Sequence, residues 1–221
     1  MKAPALALAF VLALAAPVRG EDTPACPDTD VVPEASNIKR VNTAIVCLLN
    51  VERANAGLVP LAHDPLLDRA SQQKTDDMVG SHYFAHEAPG RPPLLTRIMG
   101  TGYFFGAAGG LYTENLGVGP RLEATAANMV AAFMQSDHHR ANILFATFRD
   151  VGIGATIAGP DPAFYDDRPS VVFATDFGRR YWHRPTRGCT RRPAAGDPTA
   201  APRSQWCTKP RRKHRRRRTH R

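Results

Sequence analysis

The sequence predicts an α+β fold, and three observations carry that prediction. Apolar residues recur at helical spacing through the first half of the chain. They alternate with period two in two stretches further on, 151–157 and 171–177. Between an apolar start and a basic end lie roughly 155 residues, enough for one sizeable core and too few for two ordinary domains. Helices first and antiparallel strands late indicate segregated elements, not a βαβ winding.

The elements follow in order. A first helix is expected from Ser36 as its cap, with Ile38, Val41, Ile45, Leu48 and Leu49 on one stripe and Ala56-Gly57 as its end. A second starts at Asp64 as cap with Pro65 in the first turn, carries Leu67, Ala70 and Met78, and stops near Gly80. From His82 to Gly119 the chain is rich in Gly, aromatic and polar residues, and only a short helix around Leu94–Met99 is expected there. A longer helix should run from Leu122 to Met134, followed by one or two turns over His138–Phe145. Val151, Ile153, Ala155 and Ile157 predict one strand, and Val171, Phe173, Thr175 and Phe177 a second. After Gly178 regular signals stop.

Lys2, an apolar run from Ala3 to Ala16, and the exit Pro17-Val18-Arg19-Gly20 read as a secretory signal. The run is shorter than the about 20 apolar residues a membrane anchor needs, and no later segment is long and apolar enough to span a bilayer. The organisation expected is therefore a signal over 1–20, an extended Pro- and Asp-rich lead-in over 21–36, a folded domain over 37–178 and a basic tail over 179–221. The protein is expected to be secreted, soluble and monomeric. In an oxidising compartment the four cysteines predict two disulfides, for which three connectivities exist. Local pairing, Cys26 with Cys47 and Cys189 with Cys207, is the simplest. A four-cysteine metal site lacks any Cys-x-x-Cys pair.

Charge divides the chain in two. Residues 21–178 hold 11 Lys+Arg against 19 Asp+Glu, whereas 179–221 hold 16 Lys+Arg against one Asp. The body is acidic, which excludes it as a nucleic-acid binder; the basic pI belongs to the tail. Lys209 to Arg221 has nothing apolar to bury and is expected to stay unfolded. Outside the cell its partners would be polyanions, either anionic envelope polymers or anionic lipid.

Five short motifs stand out: Cys47-Leu48-Leu49-Asn50-Val51-Glu52-Arg53, Tyr83-Phe84-Ala85-His86, Thr113-Glu114-Asn115-Leu116, Ser136-Asp137-His138-His139-Arg140-Ala141-Asn142-Ile143-Leu144, and Thr175-Asp176-Phe177-Gly178. In this order and spacing, from about Thr43 to Gly178, they resemble the bacterial secreted branch of the CAP superfamily, relatives of the cysteine-rich secretory proteins. The resemblance implies an α-β-α sandwich with a small antiparallel sheet between helical layers and a broad cleft. It implies that His86, Glu114 and His139 converge in that cleft. The animal and plant branch adds a second glutamate in the helix before the last His. Ala126 to Gln135 holds no acidic residue, and Asp176 is the candidate for its place.

Two neutral imidazoles and a carboxylate can hold Zn²⁺ with one position open to water, so His86, His139 and Glu114 form a candidate metal set. Without metal the same trio could perform acid–base work near neutral pH or serve as a hydrogen-bonded network tying loops together. No His-Glu-x-x-His or Gly-x-Ser-x-Gly pattern points to a particular hydrolase. The reading preferred is a cleft that binds a ligand, a lipid or other small molecule, with a metal-dependent or acid–base hydrolase acting on extracellular material as the alternative. His63, His82 and His138 read as surface or capping residues, and Arg140, Asn142 and Asn115 as loop-fixing ones.

Overall fold

The structure is a computed structural model and describes residues 25–165 and 168–182. The expected signal over 1–20, the expected Cys189–Cys207 pairing and the Arg-rich cluster fall outside the described residues.

α1 spans Ile38–Asn55. Its N-cap position is Asn37 and not the expected Ser36, and Asn37 gives no side-chain cap. The amide is used differently: Oδ1 accepts from the Glu34 backbone N–H at 2.8 Å and Nδ2 donates to the Val32 carbonyl at 3.0 Å, folding the lead-in onto the helix start. Cys26 is bonded to Cys47 as expected, with Cα atoms 5.7 Å apart; Cys47 lies within α1, so the lead-in is tied to the body of the helix. Arg53, in the last turn, is fully buried without a carboxylate partner. Its guanidinium donates to the carbonyls of Val59, Ile143, Phe145 and Phe148 and gathers two segments, the turn after α1 and the stretch from the end of α5 toward β3, around the helix end.

β1 (Ala62–His63) leads into α2 (Pro65–Gly80). Asp64 caps α2 by accepting from the Leu66 N–H at 2.8 Å, with Pro65 behind it, as the sequence predicts. α3 spans Leu94–Gly100. β2 (Gly109–Pro120) is a 12-residue strand that the sequence reading did not foresee. Its glycines hide the alternation, and one of them is needed: a Cβ on Gly117 would stand 2.4 Å from Met129 Sδ, so α4 packs on bare backbone there. α4 runs Ala126–Gln135, starting four residues later than expected. Thr125 Oγ1 accepts from Asn128 N and sets the start, while Leu122 stays 69% exposed in the preceding turn. α5 is Asp137–Ile143. β3 (Asp150–Ala158) and β4 (Ser170–Tyr181) are the two strands predicted, β4 running three residues past Gly178.

The sheet has the order β1-β3-β4-β2. β3 and β2 both pair antiparallel with β4, and the short β1 joins β3 in parallel, the one departure from the antiparallel sheet expected. Val151, Ile153, Ala155, Val171, Phe173 and Phe177 pack toward α1, α4 and Ile143 of α5. The opposite face packs on α2 and α3 through Leu67, Ala70, Ile98 and Tyr103, and through Met78, Leu116, Val172 and Ala174. The result is an α-β-α sandwich. α2 lies so close that a Cβ on Gly152 or Gly154 would fall within 2.4 Å of its backbone.

Candidate functional site

The ladder between β2 and β4 sets Glu114 opposite Asp176. Both face the α2–α3 layer, the side on which Leu116, Val172 and Ala174 are buried. Glu114 is 4% exposed, and each of its oxygens has a partner. Oε2 accepts from His86 Nδ1 at 2.9 Å, and Oε1 is ion-paired with Arg97 of α3. Lys74, 2% exposed on α2, donates to the His86 carbonyl at 2.9 Å and to the Tyr83 hydroxyl at 3.1 Å. Tyr83 in turn donates to Asp77 Oδ2 at 2.6 Å. Burial, then this bond, pushes the Tyr83 hydroxyl up to about 12, so it remains a donor. Burial holds Lys74 below the usual lysine range, opposed by the charge of Glu114. The Tyr83-Phe84-Ala85-His86 motif is thus a loop pinned from beneath by one lysine.

Asp176 is placed differently from what the sequence led us to expect. It is 0% exposed, lies beside Glu114 in the ladder, and does not line the hollow. Neither carboxyl oxygen has a hydrogen-bond partner among the described residues; the nearby Ser71 hydroxyl donates to the Gly152 carbonyl instead. Burial first, and the charge of Glu114 second, raise its pKa well above the usual carboxylate range, with Arg97 opposing.

A hollow of about 490 Å³ opens above Glu114, lined among others by His86, Leu95, Tyr112, Thr113, His138 and Asn142. Consecutive residues on a helix point about 100° apart, and here His138 takes the hollow. His139 turns back, its ring edge-on to Phe133 with centroids 5.1 Å apart. Burial, then the charges of His86 and His138, depress the His139 pKa and keep this imidazole neutral. Asn115, fully buried, donates to the His139 carbonyl at 3.1 Å and accepts from Asn142 Nδ2 at 2.8 Å, clamping α5 to β2. His63 pairs with Asp68 and His82 with Asp161, both away from the hollow.

Among the described residues no three His, Cys, Asp or Glu side chains are disposed to hold a metal ion. The donor set explains this. Glu114 has committed both oxygens to His86 and Arg97, Lys74 adds a second positive charge, and His139 faces Phe133. The set His86, Glu114 and His139 does not fit Zn²⁺ in this arrangement.

Lys74, Arg97 and His138 are the functional residues that sequence reasoning missed. Lys74 had a signal: it follows Leu67 and Ala70 and precedes Met78 on the buried stripe of α2, a position a lysine occupies only when partnered. Arg97, within a short apolar helix, carried a weaker one.

The molecule is a three-layer sandwich in which a buried glutamate on an edge strand of a small sheet holds an exposed histidine at a surface hollow. The sequence model of the Cysteine-rich secretory protein family (CAP) matches residues 46–172, more than half of the chain, and the chain belongs to that family. The protein YkwD of Bacillus subtilis (strain 168) is 32% identical over 124 residues, 56% of this chain and 46% of its own length. An extracellular protein containing a SCP domain from Bacillus anthracis str. Ames superposes with a TM-score of 0.51 at 22% identity, over 66% of this chain and 44% of that one. The chain spans less than half the length of either. Among the described residues no helix is long and apolar enough to cross a membrane.

Proposed function

We propose that the protein is exported and binds a ligand in the hollow above Glu114, while its Arg-rich tail holds it against anionic envelope surfaces. The observation that carries the cleft reading is the hydrogen bond between His86 Nδ1 and Glu114 Oε2 at 2.9 Å. It orients an imidazole, 57% exposed, on a floor of buried charge and leaves Nε2 free in the hollow. Structural networks bury such groups; here one edge of the network is kept open to solvent. Export is supported by the apolar leader and by the kinship with an extracellular Bacillus anthracis protein. Among the described residues no serine, threonine or cysteine side chain is hydrogen-bonded to His86, which favours binding over hydrolysis.

The tail reading rests on the charge split. Eight Lys+Arg between Arg211 and Arg221 should release several counterions on a polyanion, so retention must fall steeply with salt. The exported chain and a version ending at Thr208 are compared on an anionic resin and on phosphatidylglycerol vesicles across a salt gradient. Early elution of the shorter chain supports the tether, and equal elution removes it. For the cleft, His86→Ala and wild type are titrated with extracts of envelope small molecules and lipids under NMR observation. Identical spectra for both would remove the cleft reading.

A further inference from the structure

The two edges of the sheet are treated differently. Beyond its two-residue pairing with β1, β3 is an edge strand, and α2 side chains occupy its backbone. Asp68 Oδ1 accepts from the Ile153 N–H at 2.9 Å, and Gln72 both accepts from the Ala155 N–H and donates to the Ala155 carbonyl at 3.3 Å. That edge is closed to another strand. β2 forms the opposite edge, and among the described residues no backbone group bonds to the outer side of Gly109–Thr113. Its first five residues, Gly109–Thr113, are exposed or half-buried, in contrast to the buried run that follows.

Side-chain hollows flank this open stretch. Besides the one above Glu114, a second of about 340 Å³ is lined by Leu111, Phe145 and Phe148 and shares Tyr112 and Asn142 with the first. Four consecutive residues, Leu111 to Glu114, therefore line one hollow or the other, which happens when a groove follows the edge of a strand. Around it aromatics gather, with Tyr181 and Trp182 exposed and Phe104 half-buried. Tyr181 is the register partner of Gly109, Trp182 lies against Gly106, and the Phe104 ring stands 6.2 Å from that of Tyr112. An exposed apolar patch beside an unpaired strand is a site of association.

We propose that Gly109–Thr113 receives an extended peptide as an added strand. One of its side chains, aromatic or aliphatic, enters the hollow at Phe145 and Phe148, and the neighbouring hydroxyl-bearing side chain meets His86. The occupant is a peptide because the edge offers backbone donors and acceptors at strand spacing, which an acyl chain cannot satisfy. The alternation follows from the pleat, successive side chains of the added strand dropping to opposite sides. The hydroxyl follows from what the hollow has left. His86 Nδ1 is committed to Glu114, leaving Nε2, and Asn142 Nδ2 is committed to Asn115, leaving Oδ1. Two acceptors call for a donor. This rests on the cleft reading above and names its ligand class.

The test titrates the ¹⁵N-labelled full chain with the peptide acetyl-Lys-Thr-Phe-Thr-Phe-Thr-Lys-amide and with two N-methylated forms, one blocking the backbone donors of each face. The expected result is amide shifts and slowed hydrogen exchange along Gly109–Thr113. One methylated form should bind about tenfold more weakly and the other like the parent, since only one face of the peptide bonds to β2. Phe145→Glu should weaken binding by a similar factor with its thermal midpoint retained. Both methylated forms binding like the parent would overturn the proposal. So would shifts confined to His86, His138 and Asn142, an outcome that keeps the cleft and discards strand addition. Shifts nowhere would discard strand addition and leave the cleft reading to the extract titration. Failure to bind peptide together with co-sedimentation on phosphatidylcholine–phosphatidylglycerol vesicles would assign the aromatic patch to a membrane surface instead.

Discussion

Glu114 and Asp176 are register partners on β2 and β4, yet Glu114 has a partner for each carboxyl oxygen and Asp176 has none. Two carboxylates side by side in a buried setting cannot both ionise cheaply. Arg97 and His86 take both oxygens of Glu114, while those of Asp176 have no hydrogen-bond partner among the described residues, and burial raises its pKa well above the usual carboxylate range against the opposing charges of Arg97 and Lys74.

The pH dependence follows. The folded-state pKa of Asp176 lies above its unfolded value of 3.8. The folded protein therefore binds more protons, and stability is fully present below the unfolded pKa and declines as pH rises through the window up to the folded value. Asp176→Asn mimics the protonated acid. It should flatten that decline and leave the midpoint at neutral pH unchanged or raised, as read by urea denaturation across a pH series. Strong destabilisation by the amide would show that Asp176 is ionised in the fold.

Removing Arg97 should cost more than removing the pair. Arg97→Leu strands the buried Glu114 charge, at about 3–5 kcal/mol, while Arg97→Leu with Glu114→Leu should recover a good part of that. A double-mutant cycle by chemical denaturation measures the coupling. Additive losses would mean the two side chains do not depend on each other.

Arg53 should behave as a structural keystone with no part in binding. Its guanidinium serves four carbonyls, and Arg53→Met leaves buried acceptors without donors at about 2–4 kcal/mol. Arg53→Lys should rescue only a fraction, because an ammonium cannot reach acceptors spread over a guanidinium fork. Thermal unfolding gives the order wild type, Lys, Met; equal midpoints for wild type and Lys would contradict it.

The Cys26–Cys47 bond closes a loop with a sequence separation of 21. Replacing both cysteines with serine should lower stability by about 3 kcal/mol in the chain-entropy view. The loss should vanish when wild type is compared under reducing conditions. A variant as stable as the oxidised protein would show that the lead-in holds itself in place through Asn37 and the Asp28–Arg40 ion pair.

The fold class, four helices close to their observed bounds and two of the strands were legible in the sequence, because those elements repeat an apolar pattern over many residues. The sequence determined the Cys26–Cys47 bond, since pairing within a short separation is favoured in an oxidising setting. It also determined that His86 and Glu114 belong together, through motifs whose spacing the family shares. Only the tertiary structure decided the rest. β2 escaped notice because its four glycines break the alternation, and the demands they meet, Gly117 under α4 and Gly110 under Phe104, come from other elements and leave no local period. Which histidine enters the hollow depended on the rotation of α5, fixed by Asn115 from another element. The fate of Asp176, and whether Glu114 was free for a metal, turned on two cations, Lys74 and Arg97, brought in from separate helices. Electrostatic partners are set by distance in space, and no spacing along the chain encodes that distance.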